Sequence, residues 1–280
     1  MAQITPDIVA KLRDMTNAGF LTCKKALEEA NGDLNLAVEI LRKKGAATAQ
    51  IKAARTAKDG VIAQCIQPGA RVGLLVEVGC ETDFVARNEA FRAFCDDIAR
   101  KLADNPSADL EADRVAQLAK MGEKIEFRRQ QRMEVSGHGM VAAYIHTGAK
   151  VGVLVEVGAG KDTTVAHDDF KQLVRDITLQ IAAASPVAVT RESVDPAVIA
   201  KEKEIAAEQV KGKPPQAIAK IIEGKLEKYF QTFCLVDQGF VKKNGEVSVK
   251  DHVASVAKQL GDEITLRRFV RFQVGETPAA

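Results

Sequence analysis

Apolar residues over the first 45 positions recur at helical spacing, and from about residue 60 they give way to unbroken β-branched runs. Ile8, Val9 and Leu12 form one helical stripe. Thr5 can cap that helix, and Pro6 suits its first position, where a missing N–H costs little. Gly19 breaks the pattern. A second helix is predicted over about 22–30, closed by Asn31 and Gly32. Asp33 can cap a third, which carries Leu36, Ala37, Ile40 and Leu41 and stops at Gly45. The stretch that follows, AATAQIKAARTAK, has helix propensity but little apolar stripe, so it reads as a linker.

Three short helices in so few residues resemble a ubiquitin-associated-type bundle. Such bundles usually meet partners at the loop that Gly19 and Phe20 occupy here. Two readings of Phe20 and Leu21 are open at this point: a partner contact, or a plug for the bundle core.

The chain repeats itself. GARVGLLVEVG at 69–79 returns as GAKVGVLVEVG at 148–158, an offset of 79 that also carries Gly60 onto Gly139 and Ile66 onto Ile145. Downstream it carries Asp83 onto Asp162, Phe91 onto Phe170 and Ile98 onto Ile177. Each copy reads as a β-hairpin around a Gly-containing turn, followed by an amphipathic helix. The helix stripes are Phe91, Phe94, Ile98 and Leu102 in one copy, and Phe170, Leu173, Ile177 and Ile181 in the other. GEKIEFRRQQRMEV at 122–135 matches GDEITLRRFVRFQV at 261–274, and each can close a three-stranded antiparallel sheet with helices on one face.

The fold class is therefore α+β. A three-helix bundle and linker (1–55) precede a duplicated core of two antiparallel-sheet-plus-helix halves, 56–136 and 137–280. The second half is longer by about 60 residues. Much of the excess is two helix patterns joined by KGKPP at 211–215, which read as an antiparallel coiled-coil hairpin over about 196–230.

Composition mostly excludes. A net charge of +2 gives no basic field for nucleic acid, and the absence of Trp leaves little stacking surface for single strands. Five scattered cysteines without a C-x-x-C pair suit reduced thiols in a cytosol. No apolar run is long enough for a membrane span, so a soluble cytoplasmic protein is expected.

Two apparent motifs fail. GAGKDTT at 158–164 holds Val155 and Asp162 where a phosphate loop needs Gly and Ser or Thr. GHGMVA at 137–142 leads into a β-branched run, not a helix. The four histidines lack metal-ligand spacing. Cys80, with a carboxylate nearby at Asp83, is a poor nucleophile. No cofactor, metal or bond-making chemistry is expected.

What remains is CETDFVARN at 80–88. In the second copy Asp83-Phe84-Val85 becomes Asp162-Thr163-Thr164. A ring that the shared fold needed would appear in both copies. Phe84 thus points to something outside the fold, unless it packs on the bundle or the linker.

CETDFVARNEAFRAF and LRDMTNAGFLTCKKALEEANGDLNLAVEILRKKG closely resemble the bacterial elongation factor Ts family, and the likeness runs along essentially the whole chain. The resemblance implies a translation elongation factor that is not an enzyme. It would bind elongation factor Tu holding GDP and promote exchange for GTP. By the same resemblance, Thr82, Asp83, Phe84 and Val85 form the loop that enters the GTPase near its magnesium and phosphate elements. Arg13, Phe20, Leu21, His146, Phe240 and Val241 match partner-binding positions. No direct nucleic-acid or membrane contact is implied, and the hairpin is open to a dimer seam or a contact with another protein. The alternative is a non-catalytic adaptor that binds a different protein through the bundle.

The hairpin has no counterpart in the first half, so the sheet-and-helix fold does not require it. Replacing 196–230 by a short Gly-Ser turn should leave GDP release from elongation factor Tu fast. Abolished release by such a variant with an intact melt would place the hairpin in the exchange contact.

Overall fold

The computed structural model of the protein describes residues 4–16, 18–210 and 215–276; positions 211–214 of the expected KGKPP turn lie outside the described residues. Three helices open the fold: α1 (Pro6–Thr16), α2 (Phe20–Glu29) and α3 (Leu34–Ala53). Val9, Leu12, Cys23, Ala26, Leu27 and Ala37 form their shared core. Asp33 caps α3 as expected, accepting from Asn35 N and Leu36 N at 2.8 and 3.0 Å. Leu36 itself is exposed, and Leu34 and Val38 pack inward instead.

The expected stop at Gly45 does not occur. α3 runs on to Ala53, and its second half lies on α6 (Glu111–Met121), with Ala49 buried in the first core cluster. One glycine costs a helix only about 1 kcal/mol, and packing on α6 outweighs that. The first part of the presumed linker, as far as Ala53, is thus helix packed against the core. α2 also begins earlier than its pattern suggested, which puts Phe20 and Leu21 in its first turn.

The core holds two three-stranded antiparallel sheets, as the repeat implied. The first is β1 (Asp59–Ile66), β2 (Val72–Cys80) and β3 (Glu126–Glu134); the second is β4 (Gly139–Ile145), β5 (Val151–Ala159) and β6 (Ile264–Gln273). α5 (Glu89–Asp104) covers the first sheet and α8 (Asp168–Ala184) the second. The expected stripes are buried at Phe91, Ile98 and Leu102, and at Phe170, Leu173, Ile177 and Ile181. Each half also has a helix that periodicity did not single out, α6 in the first and α11 (Val249–Leu260) in the second.

The other faces of the sheets pack on each other. Ile62, Leu75, Met133, Val141, Leu154 and Phe272 form that shared layer. A Cβ on Gly73 would stand 2.6 Å from Val141, and one on the equivalent Gly152 would crowd Ile62. Glycine at these positions lets the sheets meet. With both faces covered, β2 is buried along its whole length, so its sequence reads as a continuous apolar run.

One residue in each apolar run is charged. Glu77 and Glu156 are 1% and 2% exposed. Arg128 and Arg129 donate to Glu77 at 2.6 and 2.7 Å; Arg267 and Arg268 donate to Glu156 at 2.9 and 2.7 Å. Neighbouring residues of a regular strand point to opposite faces, so adjacent arginines should not share one carboxylate. A β-bulge solves this. Glu77 pairs with Arg129 and Val78 with Phe127, which leaves Arg128 as the extra residue. The second sheet repeats the device, with Arg267 as the extra residue.

The guanidinium of each extra arginine lies over a glycine. A Cβ on Gly79 would stand 2.8 Å from Arg128 Nε, and one on Gly158 would be closer still to Arg267. That accounts for the shared Gly of the two VEVG copies. The clamps also reach across the sheets. Arg129 Nη2 donates to Gln273 O at 2.8 Å, and Arg268 Nη2 to Glu134 O at 3.0 Å.

α9 (Pro196–Glu208) and α10 (Pro215–Phe233) pack against each other. Arg191 anchors their base. It donates to both Glu227 oxygens at 2.7 Å and to Asp237 at 2.9 Å, and it lies over the Phe230 ring.

Burial alone would raise the Glu156 carboxyl, but hydrogen bonds from Arg267 and Arg268 outweigh it and hold the group below its ordinary value of 4.5. A lowered folded-state value contributes stability above that ordinary value, and the contribution is lost as pH falls through the folded-state value. Glu156→Gln should therefore flatten the acid limb of a melting-temperature profile. It should also lower the melt near neutral pH, where the intact clamp is ionised. An unchanged acid limb would show that Glu156 does not contribute to acid unfolding.

Candidate functional site

The TDFV stretch forms a short helix rather than a loop. α4 (Asp83–Arg87) begins directly after β2 and precedes α5. Thr82 is its cap, accepting from Val85 N at 3.4 Å. Asp83 does not cap the helix. It lies inside the first turn, and its carboxylate pairs with Arg87 at 3.0 Å. Both side chains are largely exposed, so that pair is worth about 0.3–0.5 kcal/mol.

The turn is held from outside. Glu123, just beyond the end of α6, accepts from Glu81 N and Thr82 N at 3.0 Å and from Thr82 Oγ1 at 2.6 Å. Lys124 N donates back to Glu81 at 2.7 Å, and Arg55 meets the same carboxylate at 3.3 Å. These ties lower the Glu81 carboxyl, chiefly through the Lys124 backbone and then through Arg55.

On this fixed turn the side chains divide. Ala86 is buried and Val85 packs on the first core cluster, so Val85 anchors the helix. Phe84 is 82% exposed. It does not pack on the bundle or on α3, which removes the structural explanation for the ring. Its counterpart Thr163, on α7 (Asp162–Ala166), is exposed as well.

The bundle carries a second apolar surface. Met15, Phe20 and Leu21 are 55%, 46% and 70% exposed, so Phe20 and Leu21 do not plug the bundle core. Arg13 is exposed on the last turn of α1. His146 is exposed just past β4, with Nδ1 3.0 Å from the Tyr144 hydroxyl. Phe240 corrects its expectation: it is buried in the second core cluster and stacks on His252 at 4.2 Å between ring centroids. The neighbouring Val241 is the exposed residue of the pair. These positions lie on the bundle, on the first half and on the second half, and no hydrogen bond or ring contact among the described residues joins them.

Cys80 is fully buried. Burial pushes its thiol up to about 12, with help from the Asp59 and Glu123 carboxylates. Its poor nucleophilicity was legible, but the charge responsible is not Asp83. Two clefts lie elsewhere. One is bordered by Glu77, Arg128 and Arg129, which pair with one another, and the other by Arg71, Gly139 and Asp162. Among the described residues no helix is long and apolar enough to cross a membrane.

Sequence reasoning missed Glu123. Its signal was present, because an acid follows the Gly that opens the third repeated element in both copies, at Glu123 and Asp262.

An exposed ring on a clamped turn, together with an apolar patch on a helical bundle, defines a protein that offers contact surfaces. The family model Elongation factor TS matches residues 81–276. An elongation factor Ts from Symbiobacterium thermophilum is 44% identical over 99% of this chain and 93% of its own length. Those from Bdellovibrio bacteriovorus and Nitratidesulfovibrio vulgaris are 40% and 37% identical, over 97% and 99% of this chain and 92% and 98% of theirs. The chain belongs to the elongation factor Ts family and is a translation elongation factor.

Exposure separates the named residues by their effect on stability. Phe20→Ala, Leu21→Ala and Phe84→Ala should each leave unfolding free energy within about ±0.5 kcal/mol. Phe240→Ala should cost about 3–5 kcal/mol. Denaturant melts of the four variants test the division, and a large loss at Phe84 would contradict its exposure.

Proposed function

We propose that this chain binds elongation factor Tu in its GDP form, speeds loss of the GDP and leaves when GTP enters. It acts in the cytoplasm without bond-making chemistry or a cofactor, and with no direct nucleic-acid or membrane contact. The carrying observation is Phe84, 82% exposed on a turn that five hydrogen bonds to Glu123, Lys124 and Arg55 hold in place, and absent from the second copy. Family membership supports the choice of partner.

In this reading residues 1–55 are a ubiquitin-associated-like docking unit that presents Arg13, Phe20 and Leu21. His146 and Val241 add contacts from the second half, and α9 with α10 forms a coiled-coil hairpin. Asp83 and Phe84 enter the GTPase near its magnesium and phosphate elements. Such a GTPase holds GDP through backbone N–H groups around the phosphates and through magnesium. A ring wedged beside them raises the energy of the bound nucleotide. Each ~1.4 kcal/mol removed from the release barrier speeds release about tenfold, so a ~10⁴-fold gain takes ~5–6 kcal/mol. Linkage then requires GDP to weaken factor binding by the factor with which the factor weakens GDP binding.

The adaptor reading uses the same bundle surface but gives Phe84 no task. Stopped-flow release of fluorescent GDP from elongation factor Tu separates the two. Phe84→Ala should depress release strongly with an unchanged melt, because a ring buried only in the complex can be worth ~2 kcal/mol or more. Thr163→Phe should not restore release to that variant. Normal release by Phe84→Ala would sink the wedge.

A further inference from the structure

We propose that Glu123 is the positioning residue for Phe84, setting the direction in which the ring projects. The inference rests on the exchange reading above.

α4 is five residues long, too short to hold its own direction in water. Its orientation must come from tertiary ties: Val85 and Ala86 seat one face on the core, and Glu123 supplies most of the hydrogen bonds that set its start. One oxygen takes the N–H groups of two consecutive residues, Glu81 and Thr82, both at 3.0 Å. Capture of two successive amides fixes the peptide plane between them. The other oxygen takes the Thr82 hydroxyl at 2.6 Å. A hydroxyl donates one hydrogen and accepts through its lone pairs. By taking that hydrogen, Glu123 leaves the Thr82 lone pairs for Val85 N, the capping bond of α4. The carboxylate thus orients the cap, and the cap orients the turn that carries Phe84.

The base of this arrangement is stiff. Glu123 follows directly on Gly122, the end of α6, and α6 packs on both α3 and α5. The return bond from Lys124 N to Glu81 closes the clasp.

The second half serves as an internal control. Asp262, one methylene shorter, takes Gly160 N at 3.1 Å and the Thr164 hydroxyl at 2.5 Å. Thr164 lies within α7, and the α7 cap, Lys161, makes no side-chain capping bond. The relay from carboxylate to cap to helix is present only in the half that bears the ring.

The test is stopped-flow release of fluorescent GDP from elongation factor Tu, with the concentration of this chain varied. Glu123→Ala should lower the maximal rate about tenfold or more. The half-saturating concentration should stay within about twofold, since the bundle surface is untouched. Glu123→Gln, which keeps the side-chain length and one acceptor oxygen, should fall between wild type and Glu123→Ala. It also carries the test if Glu123→Ala folds poorly.

The chain has no Trp, so Phe84→Trp supplies a single indole. Glu123→Ala in that background should lower the indole anisotropy, a signature that a general loss of stability below the melt would not produce. Unchanged anisotropy, or a wild-type maximal rate in both Glu123 variants, overturns the inference. Phe84→Ala run in parallel keeps the two claims apart. If it too exchanges normally, the wedge fails; if it is slow while the Glu123 variants are normal, only the positioning role fails.

Discussion

The core depends on a buried carboxylate, in each half, whose two oxygens are each taken by a different arginine. Glu77 and Glu156 each sit at the centre of an otherwise apolar strand. An unpaired charge there would cost several kcal/mol. The bulges in β3 and β6 turn two successive arginines toward the same carboxylate. The extra arginine then needs a glycine beneath it, and its neighbour reaches the last strand of the other sheet. One electrostatic requirement thereby sets the bulge, the glycine and the tie between the halves. The two copies satisfy it reciprocally, so the duplicated units form one packed core rather than two beads on a string.

On that symmetric base the exposed side chains are asymmetric. Both halves carry a short helix between the central strand and the long covering helix. Only the first presents an aromatic ring, and only there does a distant carboxylate take the hydroxyl of the residue that caps the short helix. On the exchange reading proposed above, a surface that deforms its partner must not yield first, which a firmly tied mount for the ring would serve. α3 adds to this stiffness. It runs unbroken from the bundle to the core, and Arg55 beyond its end meets Glu81 beside the turn. The two apolar surfaces, on the bundle and on α4, are held in one framework by helix packing.

Much of this was legible in the sequence, and the reasons are local. Strand runs, helix stripes and the Asp33 cap depend on residues a few positions apart, so periodicity exposes them. The repeat made Phe84 conspicuous through its absence from the second copy. Matching the third repeated element supplied the last strand of each sheet.

Other features depend on residues far apart in the chain. Gly45 looked like a stop, yet packing against α6 carries α3 through it. Phe240 and Phe84 are both aromatic residues in polar stretches, and nothing nearby says that one is 1% exposed and the other 82%. The Glu-Arg clamps join positions more than 50 apart, and the Glu123 clasp joins positions more than 40 apart. The sequence by itself determined the elements, their duplication and the one residue that breaks it. The tertiary structure decided which apolar residues stay in water and which carboxylate holds them in place, because burial and hydrogen-bond partnership are settled only when distant segments meet.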